Sequence, residues 1–137
     1  MSLRLTPRTA VAAVFALHGA VGGSFATRIP WIQEHVGAGP GGLGLALLAP
    51  ALGAFLAMPL TGRIIHRRGA RTVTRATALL FAVALVPPSL APDLALLWVL
   101  LLGYGVLGGV CDVAMNGLGV EVERELGKPV MSSLHGM

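Results

Sequence analysis

Four long apolar runs, separated by short polar segments, dominate the hydrophobic pattern of this chain. Residues 9–27, 43–60, 76–92 and 94–111 carry no formal charge, and about 20 apolar residues suffice for a helix to cross a bilayer. The third run is the shortest, and it reaches a spanning length if Arg75 extends along its aliphatic stem to the interface. The pattern predicts an all-α integral membrane protein with about four transmembrane helices.

Prolines, glycines and charges set the expected bounds of these helices. We predict crossings at about 9–28, 42–61, 72–91 and 94–119, and the start of a fifth helix at about 130–137. Proline disfavours helical structure at the preceding residue, so Pro30 predicts the end of the first helix, with Trp31 as an interfacial anchor. The glycine-rich segment 34–42 is expected to form an outer loop.

Composition supports the membrane interpretation. The 137 residues are 55% hydrophobic and 12% charged, against about 25% charged in soluble domains, and their mean hydropathy is +0.79. A soluble chain this short would expose much of its apolar content to water, which favours lipid as the solvent. A cleaved signal peptide, with Ser24-Phe25-Ala26 as the cleavage site, is an alternative that explains only the first run.

The distribution of basic residues indicates an orientation. With four crossings, only Arg28 of the ten lysines and arginines lies on one side, and the other nine lie on the opposite side: Arg4, Arg8, Arg63, Arg67, Arg68, Arg71, Arg75, Arg124 and Lys128. The positive-inside rule places the N-terminus and the basic segment Gly62–Arg71 in the cytoplasm, with the chain in a plasma (inner) membrane. We predict no nucleic-acid partner, because no nucleic-acid-binding motif accompanies the basic residues.

One face of the fourth run is small and polar. At about 100° per residue, six residues fall within an arc of roughly 100°: Gly105, Gly108, Gly109, Asp112, Asn116 and Gly119. The glycines let a neighbouring backbone approach this face. A charge that faces lipid costs at least about 2.5 kcal/mol, so Asp112 is expected to face the bundle interior or a cavity. Asp112 and Asn116 form either a substrate or proton site, or a pair that fixes packing by interhelical hydrogen bonds or by pairing with an arginine.

Histidines are the remaining candidates for chemistry. His18, in the first run, either lines a cavity or is a hydrogen-bonded packing residue, since intramembrane ionisable groups usually face an interior. His18, His35, His66 and His135 lie in four different segments without metal-ligand spacing, and the sequence has no catalytic or cofactor motif. We therefore predict no enzyme, no cofactor and no metal. An intramembrane hydrolase built from Asp112 and His18 would need a further partner that the sequence does not offer.

Several short motifs resemble one known family. Gly62, Arg67, Gly69 and Arg71, between the second and third runs, resemble the signature loop of the major facilitator superfamily. Three further stretches look like a bacterial branch of that superfamily near the fucose-permease-like members: Arg28-Ile29-Pro30, Asp112-Val113-Ala114-Met115-Asn116 and Met131-Ser132-Ser133-Leu134-His135-Gly136. The resemblance covers essentially the whole chain.

This resemblance implies a fold and an activity. Members of the family have twelve transmembrane helices in two six-helix halves built from three-helix repeats, with the substrate near the midplane between the halves. It implies transport of a small solute by alternating access, commonly coupled to protons, with a sugar suggested by the branch. The expected partners are the lipid bilayer and a small-molecule solute, and four residues are candidates to line the cavity: His18, Asp112, Asn116 and His135.

The signature segment departs from the family pattern at two positions. Its candidate gating residues are Gly62, His66, Arg67, Arg68, Gly69 and Arg71. His66 stands where the family usually has an aspartate, and Ala70 where it usually has an arginine. In the family the acidic group is thought to hold the inward-closed state by pairing with basic groups, a charge that a neutral histidine cannot supply. We therefore expect altered gating.

The chain is also short for this family. It matches the first four helices, and Met131–Met137 looks like the start of a fifth. We interpret it as a truncated N-terminal piece whose pathway needs the missing C-terminal helices or a second copy. The alternative is a small four-helix membrane protein that acts as a dimeric transporter or has a structural or accessory role.

Overall fold

The computed structural model describes residues 6–136, so Arg4 of the charge count and Met137 of the expected fifth helix lie outside the described part. Within residues 6–136 the chain forms helices and no strands. The elements are α1 (Pro7–His35), α2 (Pro40–Ala46), α3 (Ala49–Arg68), α4 (Ala70–Val83), a 3-10 helix (Pro87–Leu90), α5 (Leu94–Leu126) and α6 (Met131–His135).

Four helical stretches are long and apolar enough to cross a membrane. They are Pro7–His35, Pro40–Arg68, Ala70–Leu90 and Leu94–Leu126. The second combines α2 with α3, and the third combines α4 with the 3-10 helix. The predicted all-α membrane protein with four spans is confirmed, and the depths at which the chain enters and leaves the bilayer stay predictions.

The first helix is longer than the sequence suggests. The prediction that Pro30 ends it is wrong, because α1 continues through Pro30 to His35. The ring of Trp31 stacks on that of His35 one turn later, with centroids 4.6 Å apart. Ile32 is buried against the neighbouring helices. These contacts outweigh the local preference of proline against the helical conformation.

The outer loop that follows is shorter than predicted. Only residues 36–39 separate α1 from α2, rather than the whole of 34–42. Pro40 begins α2, at a position where the backbone amide of any residue would have no partner within the helix, so the missing amide hydrogen of proline costs nothing. Pro50 similarly lies in the first turn of α3, and since it has no amide hydrogen it cannot continue the hydrogen-bond ladder of α2. The second span is therefore interrupted at Leu47 and Leu48.

The basic segment Gly62–Arg71 is not a loop. Helix α3 continues to Arg68, α4 begins at Ala70, and Gly69 alone links them. Gly69 has φ 78° and ψ 141°, a backbone conformation that glycine adopts without the steric cost paid by other residues. Gly62, expected to shape a turn, lies inside α3 with open space beside its Cα. The arginines are therefore displayed on two helix ends.

Helix α5 is the centre of the bundle. It packs against α1, α2, α3, α4 and α6. The closest approach is to α3, where Gly105 meets the backbone of Pro50 and Gly109 meets Ala54. Asp93 caps its N-terminus by accepting a hydrogen bond from the Leu96 amide at 2.8 Å. The predicted role of the glycine face, close approach of a neighbouring backbone, is confirmed at these positions.

Large apolar side chains cover the outside of the bundle. On α3 and α4 the exposed ones include Leu52, Phe55, Leu56, Met58, Leu60, Leu79, Leu80 and Val83. Such continuous apolar surface suits hydrocarbon and not water. The buried contacts between α5 and its neighbours, by contrast, include glycine and alanine, which is typical of helix packing in membranes.

Candidate functional site

Four aromatic rings meet midway along the bundle. His18 and Phe25 lie on α1, Phe81 on α4 and Tyr104 on α5. The His18 ring stacks on Phe81 with centroids 4.8 Å apart and an interplanar angle of 26°. Phe81 in turn lies 4.6 Å from Tyr104, whose ring is 5.1 Å from Phe25. We refer to these four residues as the aromatic cluster.

Two polar atoms of the aromatic cluster lack hydrogen-bond partners. Nδ1 of His18 and the hydroxyl of Tyr104 are both buried and unpaired in the described structure. Leaving a buried polar group unpaired costs about 1–3 kcal/mol. Most buried polar groups in proteins are paired, so these two exceptions mark the cluster as a candidate functional site. The cluster therefore contains two buried polar atoms that can form hydrogen bonds, beside stacked rings.

Helix α5 adds a carboxylate to this region. Asp112 is exposed, and Asn116 is half-buried one turn further on. The Asn116 amide donates to the backbone carbonyl of Asp112 at 2.8 Å and to its Oδ1 at 3.2 Å. This pair lies within one helix, so it is not the interhelical packing pair that one interpretation of the sequence invokes. Asp112 and His18 lie on two helices that pack against each other, α5 and α1.

His135 approaches the same side of α1 from helix α6. Its Nδ1 is 2.9 Å from the carbonyl oxygen of Met131, and its ring meets Phe15 edge to face with centroids 5.2 Å apart. Phe15 precedes His18 by just under one turn of α1. The four candidate cavity-lining residues therefore lie on three helices: His18 on α1, Asp112 and Asn116 on α5, and His135 on α6.

The candidate gating residues lie apart from the aromatic cluster. Along α4, Phe81 is about 15 Å from Arg71, at 1.5 Å per residue. His66, Arg67 and Arg68 are exposed in the last turn of α3, where positive charge interacts favourably with the helix dipole. We call the end of the bundle that carries the arginines from Arg63 to Arg75 the basic end.

The sequence does not reveal most of the aromatic cluster. Tyr104 stands out as a polar ring within an uncharged run, which is a usable signal, whereas Phe25 and Phe81 look like ordinary apolar residues. In residues 6–136 no three histidine, cysteine, aspartate or glutamate side chains converge on a possible metal position. The chemistry available here is hydrogen bonding, ring stacking and proton exchange.

Four closely packed helices that are long and apolar enough to span a membrane define a multi-pass membrane protein. The sequence profile of the Major Facilitator Superfamily matches residues 11–122. The chain belongs to this superfamily. Two curated relatives of the chain are named as transporters.

Three curated relatives resemble nearly the whole chain. An uncharacterized transporter, y4wD, of Sinorhizobium fredii is 41% identical over 97% of this chain and 35% of its own length. An uncharacterized MFS-type transporter of Yersinia pestis is 34% identical over 83% of this chain and 30% of its own. The membrane protein MosC of Rhizobium meliloti is 35% identical over 93% and 31%.

The chain thus spans about a third of the length of the curated relatives it matches. The names of these relatives identify two transporters and a membrane protein and state no substrate. No solved structure matches the chain significantly.

Proposed function

We propose that this chain forms the first helices of a secondary transporter that moves a small polar solute, such as a sugar, by proton-coupled alternating access. The observation that carries the proposal is the pair of unpaired buried atoms, Nδ1 of His18 and the Tyr104 hydroxyl, on two residues whose rings both pack against Phe81. A sugar presents hydroxyl groups that both donate and accept hydrogen bonds. It can supply both missing partners while its ring lies against the aromatic faces.

Asp112 is the proposed proton carrier. Intramembrane carboxylates and histidines are expensive to place in hydrocarbon and are typical of proton relays. Asp112 lies on α5, which packs against α1, the helix that carries His18, and we propose that a proton on either group changes the electrostatic energy of the other. Coupling follows if solute binding at His18 and proton binding at Asp112 are linked in this way. Asn116 then holds the Asp112 side chain by its hydrogen bond to Oδ1.

The complete pathway is proposed to need more helices than these. Relatives about three times as long support C-terminal helices as the partner, and a second copy of the chain is the alternative. The proposed location is a plasma (inner) membrane with the N-terminus and the basic end in the cytoplasm, as the positive-inside rule predicts. The lipid bilayer and the solute are the proposed partners, with no nucleic acid.

Uptake into liposomes tests the solute site. The protein that contains residues 1–137 and any sequence that follows them is reconstituted in liposomes. An acidic exterior then drives the uptake of labelled sugars. Tyr104→Phe removes only the hydroxyl and is expected to lower kcat/KM about tenfold, equivalent to about 1.4 kcal/mol. Thr27→Val is the control, since the Thr27 hydroxyl is exposed and bonds the Ser24 carbonyl within α1. Equal loss in both variants, or no loss in either, contradicts the proposed site.

Proton coupling requires a separate measurement. Asp112→Asn is expected to abolish accumulation driven by the pH gradient while leaving solute exchange at equal pH on both sides. Retention of gradient-driven accumulation removes Asp112 from the mechanism. If residues 1–137 alone transport and crosslink at about twice 14.1 kDa, the dimeric four-helix alternative is supported.

The basic segment provides a test of gating. We expect His66→Asp to increase uptake of the native solute, because it restores the acidic group that the family uses to hold one closed state. Arg67 and Arg68 come directly after His66 in the last turn of α3 and supply positive charge close to it. Equal uptake by the wild type and by His66→Asp would refute this prediction.

A further inference from the structure

Helix α3, the longer part of the second span, is fixed to α5 by contacts between backbones. Gly53 of α3 lies against the Leu102 carbonyl, and Pro50 in the first turn of α3 lies against Gly105. Close approach of this kind is typical of tight helix packing in membranes. Since the rotation of a side chain cannot release a contact between two backbones, we expect α3 to stay on α5 whenever the bundle is folded.

Helix α2, the shorter part of the same span, is held in a different way. Its seven residues include Gly41, Gly42 and Gly44, and a glycine within a helix is less favourable than an alanine. Isolated helices are only marginally stable even at about 12–15 residues. Helix α2 therefore depends on its contacts with the rest of the bundle, and it should lose its helical structure when it leaves α5.

The hydrogen-bond ladder of the second span is interrupted between the two helices. Pro50 has no amide hydrogen to donate to the Ala46 carbonyl. The Leu48 amide bonds the Leu45 carbonyl at 3.1 Å, a separation of three residues instead of four. The hydrogen bonds of α3 begin again with the Leu52 amide, which bonds the Leu48 carbonyl at 3.0 Å. An opening of α2 can therefore stop at Leu48 and leave α3 intact.

The segment before α2 is also able to bend. Residues 36–39 join α1 to α2, and Gly37 among them has φ 63°. The side chain of Gln33 donates to the Ala38 carbonyl at 3.2 Å and tethers this segment to the end of α1. This tether lies before Pro40, the first residue of α2. Helix α2 thus lies between two points at which the chain can change direction.

Trp98 of α5 holds α2 in place. Its indole Nε1 donates a hydrogen bond to the Leu45 carbonyl at 3.3 Å. The indole also packs against an apolar cluster in which Ala46 of α2 and Leu97 of α5 are both completely buried. If α2 leaves α5, the Trp98 hydrogen bond breaks and Leu97 loses its cover.

We propose that α2 is a lid at the end of the bundle opposite the basic end, with its hinge at Leu47 and Leu48 and the Trp98–Leu45 hydrogen bond as its latch. In the closed state the lid covers the apolar cluster around Leu97. Opening breaks the latch, melts the short helix and uncovers the cluster while α3 stays on α5. The lid follows from the packing of the second span and does not depend on the proposed solute site.

Hydrogen exchange of the full chain in detergent micelles, followed by nuclear magnetic resonance, tests whether the lid opens by itself. The Leu47 amide, which bonds the Leu43 carbonyl at 2.9 Å, reports on α2, and the Leu52 amide reports on α3. Since local openings need less free energy than global unfolding, we expect the Leu47 amide to exchange about tenfold faster than the Leu52 amide, or more. Equal exchange of the two amides means that the span opens as one unit, and it overturns the proposal.

Two variants should move the lid in opposite directions. Trp98→Phe keeps an aromatic ring but cannot donate to Leu45, so it should speed exchange of the Leu47 amide about tenfold, equivalent to the loss of one hydrogen bond of about 1.4 kcal/mol. Gly44→Ala should slow the same exchange, because alanine favours the helix and its Cβ would meet nothing within 4 Å. Neither variant should change exchange of the Leu52 amide.

Trp31→Phe is the matched control for the latch. Trp31 is the other tryptophan of the chain, and its ring stacks on His35 within α1. Its replacement removes an indole but leaves the Trp98 hydrogen bond, so exchange of the Leu47 amide should not change. The latch is refuted if Trp31→Phe and Trp98→Phe act equally, or if Trp98→Phe speeds the Leu47 and Leu52 amides to the same extent. A lack of slowing in Gly44→Ala contradicts the melting of α2 on opening.

Discussion

The contact between α3 and α5 should be unusually sensitive to one methyl group. A Cβ at Gly105 would overlap the carbonyl oxygen, carbonyl carbon and Cα of Pro50. All three are backbone atoms, so no side-chain rotation relieves the overlap and the two helices must separate. A gap of about 0.5–1 Å already forfeits a quarter to a half of the dispersion energy of the atoms involved. Overpacking of this kind typically costs about 1–3 kcal/mol.

Gly103 offers a matched control on the same helix. A Cβ at Gly103 meets nothing within 4 Å, so Gly103→Ala carries only the helical preference for alanine, worth about 0.5–1 kcal/mol of stabilisation. We expect Gly105→Ala to be less stable than Gly103→Ala by about 2 kcal/mol, a factor of roughly 30 in the unfolding equilibrium.

Unfolding by sodium dodecyl sulfate in bicelles, followed by circular dichroism, measures this difference. A second signal comes from Trp98, whose indole nitrogen donates to the Leu45 carbonyl at 3.3 Å and so reports the contact of α5 with α2. If Gly105→Ala unfolds at the same detergent fraction as Gly103→Ala, the close approach of the two helices does not contribute to stability as argued.

Two further predictions concern the links between helices. Gly69→Ala is expected to destabilise the protein by about 1 kcal/mol because of the positive φ at Gly69. Gly62→Ala is expected to stabilise it slightly, because Gly62 lies within a helix with open space beside its Cα. Similar unfolding of the two variants would contradict the role given to the φ of Gly69. Glu123→Gln is expected to speed hydrogen exchange at the Val130 amide, which the Glu123 carboxylate binds at 2.8 Å. Glu125→Gln should leave that exchange unchanged, and an equal change in both variants would contradict the protection of this amide by Glu123.

Local properties of the sequence determined the number of spans. The length of an uncharged run and the thickness of a bilayer are both independent of tertiary contacts, so four spans follow directly from the charges and apolar residues. The glycine face of α5 is also local, because a helical period fixes which residues share a side. Gly105 and Gly109 could therefore be assigned to a packing surface before the partner helix was known.

Only the tertiary structure decided which helices meet and at what rotation. His18, Phe81 and Tyr104 come from three helices, and their stacking depends on how α1 and α4 are rotated against α5. The same holds for a cavity of about 330 Å³ that Arg71 of α4 and Glu121 of α5 help to line. A hydropathy pattern records that a side is apolar, but lipid and a neighbouring helix are almost equally apolar surroundings. The choice between them rests on interhelical packing, which is set by shape and contact across the whole bundle.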